Sequence, residues 1–206
     1  NKLCYDMNEY SFKELINLAA ETKNDIRKAA VEVISIKGFH NTRMQDIADK
    51  AELAVGTLYN YFSSKDEVLE YIFEIEMKRR MAIMQDLKEE NLTIKDLLRE
   101  FLIRHYETLI RNPHLGRVAV REKDFSKREK SGEIKKFMQT LIISIEELFE
   151  TGVKKGEITD INCHFMAVFF FGAMHGIIEH ALTEPEMEML QEAPDFIMQR
   201  IDHIFI

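Results

Sequence analysis

Thr57, Asn60 and Tyr61 stand in the run VGTLYNYF. On a helix from Val55 to Phe62, at roughly 100° per residue, they project from one side while Leu58 and Phe62 project from the other. The polar side carries groove-reading chemistry. An asparagine amide pairs in bidentate fashion with adenine, a threonine methyl meets the methyl of thymine, and tyrosine hydroxyls hold phosphates. Tyr59 and Lys65 supply further phosphate donors, and Gly56 lets a backbone come close to DNA, although a glycine near a helix start also has a purely conformational explanation.

The elements that must position these residues are legible around them. Arg43 to Lys50 carries Met44, Ile47 and Ala48 at i, i+3 and i+4, an apolar stripe that grips a partner helix. Thr42 with Gln45, and Ser64 with Glu67, have the spacing of capping boxes. The segment from 42 to 65 is therefore expected to be a helix-turn-helix. Upstream, Ser11 with Glu14 predicts a short helix to about Ala20. Thr22 with Asp25 predicts a second start, leading to a helix with Ile26, Ala29, Ala30, Val33 and Ile34 on its core side and Gly38 at its end.

Downstream the spacing stays helical, so the fold class expected is all-α. A long helix is predicted from Lys65 to about Glu90, and another from Thr93 to the break at Asn112 and Pro113. A short helix follows from Leu115 to Arg121. The charged run REKDFSKREK from Arg121 to Lys130 is expected to be a solvated connection or helix surface. A helix from Gly132 to Lys155 ends at Gly156. The segment Ile161 to Leu182 is apolar nearly all round, as a helix buried between two layers would be, and a last helix is predicted after Pro194.

Composition narrows the function classes. The 206 residues are 46% hydrophobic, enough for a substantial core, and the net charge is -8. Residues 23–65 nevertheless hold seven basic against five acidic side chains. A specific reader on an acidic body fits that distribution, whereas a non-specific DNA coat or nucleoid-type architectural protein does not. Cys4 and Cys163 match no metal or redox spacing, so a reducing cytoplasm is expected. The longest apolar run, Phe165 to Met174, is too short to span a bilayer, no basic-then-apolar leader opens the chain, and no membrane association is expected. His175 and His180 are five apart, unlike the paired histidines of a zinc helix, so no metal site is expected. Phosphate loops, serine elbows and Cys-His dyads are also missing, so neither catalytic residues nor a cofactor are expected.

From about Asp25 to Leu69 the chain resembles the DNA-binding domain of TetR-family (TetR/AcrR) transcriptional regulators. The resemblance is carried by Gly38, Phe39, Thr42, Ile47, Ala48, Gly56, Thr57, Leu58, Tyr59, Tyr61, Phe62, Lys65 and Glu67. It implies DNA contacts from Thr42, Arg43, Gly56, Thr57, Tyr59, Asn60, Tyr61 and Lys65. Three positions depart from the family pattern: Ala54 where a capping Ser is frequent, Val55 where a basic residue is frequent, and Glu52 where Gly often makes the turn. The remainder is similar to the family in outline, and through REKDFSKRE and GEI it resembles the fatty acyl-CoA-responsive branch.

The resemblance implies a homodimer on near-palindromic double-stranded operator DNA, its reading heads about one helical turn apart. The divisions expected are a 1–22 extension, a 23–67 DNA-binding domain, and a 68–206 effector-binding and dimerisation domain. Eleven Met and fourteen Phe residues fit a malleable cavity for a hydrophobic effector such as a fatty acid or acyl-CoA. Candidate cavity residues are Phe101, His105, Leu109, Arg121, Phe137, Leu141, Phe170, Met174, His175 and Ile178. The last two helices would dimerise through Phe165, Met166, Phe169, Ala173, Ile197, Ile201 and Ile204. The expected function is a ligand-released repressor. The alternative is a helical small-molecule-binding protein or enzyme whose N-terminal unit is only structural.

Overall fold

The computed structural model describes the backbone of residues 3–121, 132–184 and 186–206, and the side chains of 17–121, 139–184 and 186–206. The charged run beyond Arg121 therefore lies outside the described residues, as does the side chain of Phe137. Among the described residues are nine α-helices: α1 Leu3–Lys37, α2 Met44–Lys50, α3 Val55–Tyr59, α4 Lys65–Glu89, α5 Ile94–Arg111, α6 Pro113–Arg121, α7 Gly132–Lys155, α8 Cys163–Thr183 and α9 Met189–Ile201. The chain divides into two compact units, residues 1–72 and 73–206, with α4 running through the division.

In the first unit, the core side expected for α1 is the observed one: Ile26, Ala29, Ala30, Val33 and Ile34 are buried. Phe39, Ile47, Ala48, Leu58, Phe62, Val68, Leu69 and Ile72 complete that core. The expected restart at Thr22 does not occur. Its hydroxyl donates to the Leu18 carbonyl at 2.9 Å, a bond made within a continuing helix, so α1 runs through without a cap. Gly38 takes φ +76 at the end of α1 and donates its N–H to Ile34.

The helices of the second unit pack around one hydrophobic core. Helix α5 starts at Thr93, whose hydroxyl accepts from the Asp96 N–H, and Pro113 opens α6 where no amide donor is needed. Gly116 brings α6 close to α8, since a Cβ there would stand 2.5 Å from a Leu182 methyl. Helix α7 ends at Gly156, with φ +73. Helix α9 begins at Met189, ahead of the predicted start. Pro194 lies early in it and forfeits only the amide bond that would reach Leu190. The chain end returns to pair Ile158 with Phe205 in an isolated antiparallel bridge.

Helix α8 differs from its expectation of all-round burial. Ala167, Phe170, Met174, Ile178 and Ala181 are buried, while Phe165, Val168 and Phe169 are exposed. Among the described helices α8 alone is long and apolar enough to cross a membrane, and it packs against α6, α7 and α9 instead.

Candidate functional site

The reading helix is short. Only Val55–Tyr59 is regular α-helix, and the turn continues through the N–H groups of Tyr61 and Phe62, both of which donate to the Leu58 carbonyl at 3.0 Å. Leu58 and Phe62 are buried, anchoring the inner side. Gly56, Tyr59 and Asn60 are exposed, and Thr57 and Tyr61 are half-buried. Arg43, at the start of α2, is exposed as well. These six residues share one small unit and leave polar groups at its surface.

The caps differ in detail from their sequence signatures. Helix α2 opens at Arg43, whose N–H donates to the Asp46 carboxylate at 2.8 Å; Thr42 and Gln45 make no box. The Lys37 ammonium, bonded to Asp46 at 2.8 Å, and that Arg43 N–H hold the carboxyl below its ordinary value. At α4 the Glu67 N–H donates to the Ser64 hydroxyl at 3.2 Å, while the Glu67 carboxylate accepts from the N–H of Ser63 rather than of Ser64. Those Ser63 bonds lower the Glu67 pKa. Ala54 caps α3 without a side-chain acceptor. Glu52 makes the turn between α2 and α3 at φ +57, in the left-handed region where the family pattern has glycine.

Two expected DNA contacts face the protein instead. Thr42 is 2% exposed, and its hydroxyl donates to the Gly38 carbonyl at 2.8 Å. The Lys65 ammonium lies over the Phe39 ring and donates to the carbonyls of Phe39, His40 and Thr42. An ammonium has three N–H donors, so the set is fully used within the fold. Both residues secure the connection between α1 and α2, where loop carbonyls would otherwise lack partners.

In the second unit the structure brings most candidate effector residues into one core. Phe101, His105, Leu109, Leu141, Phe170, Met174 and Ile178 are buried, and the His105 ring stacks on Phe101 with centroids 6.0 Å apart. Tyr106 donates its hydroxyl to the Met174 carbonyl at 3.3 Å, and burial raises its pKa. His175 packs against Phe171 at 4.3 Å between centroids. Arg121 is exposed, at the C-terminal end of α6. His180, also on α8, is exposed and reaches Glu186 at 3.3 Å.

A cavity of about 90 Å³ opens beside this core, lined by Arg80, Leu109, Ala119, Val120, His175, Ile178 and Glu179. Sequence reasoning missed Arg79 and Arg80. The signal was present: Ile72, Glu76, Arg80 and Met84 follow one another at i+4, so two charges occupy a stripe that is otherwise apolar and buried.

The expected dimer residues divide. Phe165 is 72% and Phe169 52% exposed, and with Val168 they form an apolar strip along α8, with Met166 and Ala173 half-buried. Ile197, Ile201 and Ile204 are instead buried in the core of their own chain, because α9 turns that stripe toward α5 and α8. The large apolar residues that α9 turns outward are Met189 and Phe196.

Known proteins share both units. Residues 26–72 match the family described as bacterial regulatory proteins, tetR family, and residues 91–179 match the tetracyclin repressor-like C-terminal domain. The fatty acid metabolism regulator protein of Bacillus subtilis is 29% identical over 132 residues, covering 64% of this chain and 68% of its own. The repressor KstR of Mycobacterium tuberculosis is 26% identical over 155 residues, covering 73% of this chain and 69% of its own. Among solved structures, the Bacillus subtilis regulator FadR in complex with stearoyl-CoA superposes with a TM-score of 0.75 at 23% identity, covering 84% of this chain and 96% of that one. With an N-terminal and a C-terminal family match on an all-helical fold, the chain is a transcriptional regulator and not an enzyme: it belongs to the TetR family.

Proposed function

We propose that this regulator is a dimeric, cytoplasmic repressor released from a near-palindromic operator by a hydrophobic small molecule. The first unit, up to Ile72, reads DNA, and residues 73–206 bind the effector and the second subunit. Thr57, Asn60 and Tyr61 read bases, Tyr59 and Arg43 hold phosphates, and Gly56 admits the backbone to the groove. Thr42 and Lys65 support this surface from within, and the α8 strip of Phe165, Val168 and Phe169 meets its counterpart on a second copy.

The observation that carries the effector reading is the cavity among Leu109, Val120 and Ile178, set in a core rich in phenylalanine and methionine. The name of the Bacillus subtilis relative, a fatty acid metabolism regulator, points to the same ligand class. A ligand shifts the repressor only by binding one of its two arrangements more tightly. Helix α4, which carries Arg80 and continues to Lys65, is the element through which the change passes.

Native mass spectrometry of the purified protein, followed by operator titration with fatty acids and acyl-CoA esters, tests this reading. A dimer mass, a bound lipid and loss of operator binding on its addition are expected. A monomer, or an operator complex indifferent to every acyl compound, would overturn it.

A further inference from the structure

Helix α4 carries two adjacent arginines with different surroundings. Arg79 is anchored: its Nε lies 3.1 Å from the Glu76 carboxylate, and a terminal N–H donates to the Thr108 hydroxyl at 2.6 Å. Arg80 is 7% exposed, and its Nε has no hydrogen-bond partner among the described residues. A terminal nitrogen of Arg80 reaches only the thioether sulfur of Met77, at 3.8 Å.

Further unsatisfied polar atoms belong to the same region. Both ring nitrogens of His105, Nε2 of His175 and one terminal nitrogen of Arg79 are buried with no partner among the described residues. Native cores leave few such atoms, because an unmade bond there forfeits the solvation the group had in water.

The charges do not balance. Burial pushes His105 far below its ordinary pKa and His175 down to about 3, so both imidazoles are neutral at physiological pH. Burial lowers Arg80 only to about 10, so it remains a cation. Glu76 is the one buried carboxylate among the described residues; it pairs with Arg79 and its charge also favours the Arg80 cation, so a single carboxylate serves two guanidinium groups. Glu179, on the cavity lining, is exposed. A buried cation of this kind calls for an anion.

We infer that Arg80, with Arg79, His105 and His175 around it, receives the ionised carboxylate of the effector, which is a free carboxylic acid with an apolar tail. This rests on the hydrophobic-effector reading above and narrows it. Guanidinium and carboxylate match in planar, bidentate geometry, and each neutral imidazole adds a donor. A cavity of about 90 Å³ takes the headgroup alone. Ligand pockets run from about 300 Å³ upward, so the tail must part Leu109, Val120 and Ile178 as it enters. A thioester offers no charge to Arg80 and an alcohol offers none either, so both leave it with only its share of Glu76.

Calorimetric titration of the full chain with straight-chain acids from octanoate to octadecanoate, their alcohols and their CoA thioesters separates the classes. The acids should bind about 10- to 100-fold more tightly than alcohols of equal length, the range expected of a charged hydrogen-bonded contact. R80M keeps the bulk, removes the more deeply buried of the two guanidinium charges that share Glu76 and is expected to fold at least as stably as the parent, as a thermal melt reports. It should bind acids and alcohols alike. Equal binding of acids and alcohols by the parent chain, tighter binding of the thioesters, or an acid preference retained by R80M would overturn the headgroup assignment and leave the hydrophobic-effector reading standing. Binding of none of the three classes would remove that reading, and this assignment with it.

Discussion

The Lys65 ammonium lies 4.4 Å from the centre of the Phe39 ring and donates to the Thr42 carbonyl at 2.7 Å, so the first residue of α4 clasps the connection between α1 and α2. Charged hydrogen bonds and a cation over an aromatic face are each worth about 1 to 3 kcal/mol when partly desolvated. Lys65→Gln should therefore destabilise the first unit by about 1 to 3 kcal/mol in urea unfolding. Unchanged stability together with a shallower salt dependence of operator binding, by about one unit, would show instead that Lys65 serves a phosphate.

Glu52 and Ala54 are places where the turn is not optimised. A side chain at φ +57 costs about 1 kcal/mol relative to glycine, and an alanine cap forgoes about 0.5 to 2 kcal/mol. Glu52→Gly and Ala54→Ser should each raise the urea midpoint, and the double variant should gain less than the sum if the two turns relax together. A lowered midpoint for Glu52→Gly would mean that the glutamate side chain stabilises the turn by more than its backbone costs.

Gly56 separates conformational from DNA-facing explanations. A Cβ built there meets nothing within 4 Å, and its φ is not left-handed. Gly56→Ala should stabilise α3 by about 0.5 to 1 kcal/mol. Operator affinity should nonetheless fall, as it should by about 1 to 3 kcal/mol for Asn60→Ala at an adenine-containing site. Gel-shift titration showing undiminished affinity would take either residue off the reading surface.

His105 and His175 make stability depend on pH in a defined direction. Their folded pKa values lie below the ordinary 6.5, so below that pH the unfolded chain binds more protons than the folded one. Stability is full above about pH 6.5 and falls as pH drops toward 3, by at most about 1.4 kcal/mol per pH unit for each imidazole. Urea midpoints between pH 7.5 and 5.5 should show the loss, and His175→Gln should reduce the slope. A flat profile would indicate that both rings become protonated without leaving the fold.

The apolar strip on α8 predicts the effect of charge there. Phe165→Glu with Phe169→Glu, at positions exposed in the single chain, should weaken dimerisation by about 2 to 4 kcal/mol and leave the core intact. Light scattering should report a monomer with unaltered helical circular dichroism. A persisting dimer would move the interface elsewhere.

Much of the fold was legible because local signals agree with it. The stripe on α1, the Thr93 cap, the Asn112–Pro113 break and the glycines at 38 and 156 each act within one or two turns. Thr22 misled because a threonine hydroxyl bonds backward inside a helix as readily as it caps one. On α8, apolar composition could not distinguish burial in the chain's own core from a face left for a second chain. The same ambiguity covers Ile197, Ile201 and Ile204, which fill the chain's own core. The reading residues were recognisable by type and spacing, but the inward turn of Thr42 and Lys65 depends on loop carbonyls that no side-chain pattern records. Arg80 needed the opposite logic, a charge noticed where the stripe called for a hydrocarbon.

Helix α4 has no proline, glycine or bend-inducing bulge between Lys65 and Glu89. Within the first unit it runs unbroken from Lys65 to Ile72, about 10 Å along its axis at 1.5 Å per residue. Two turns without a joint leave little room to absorb a small rotation. Their first residue is fastened to three carbonyls, so a twist of this stretch is delivered as torque on the loop that leads into α2.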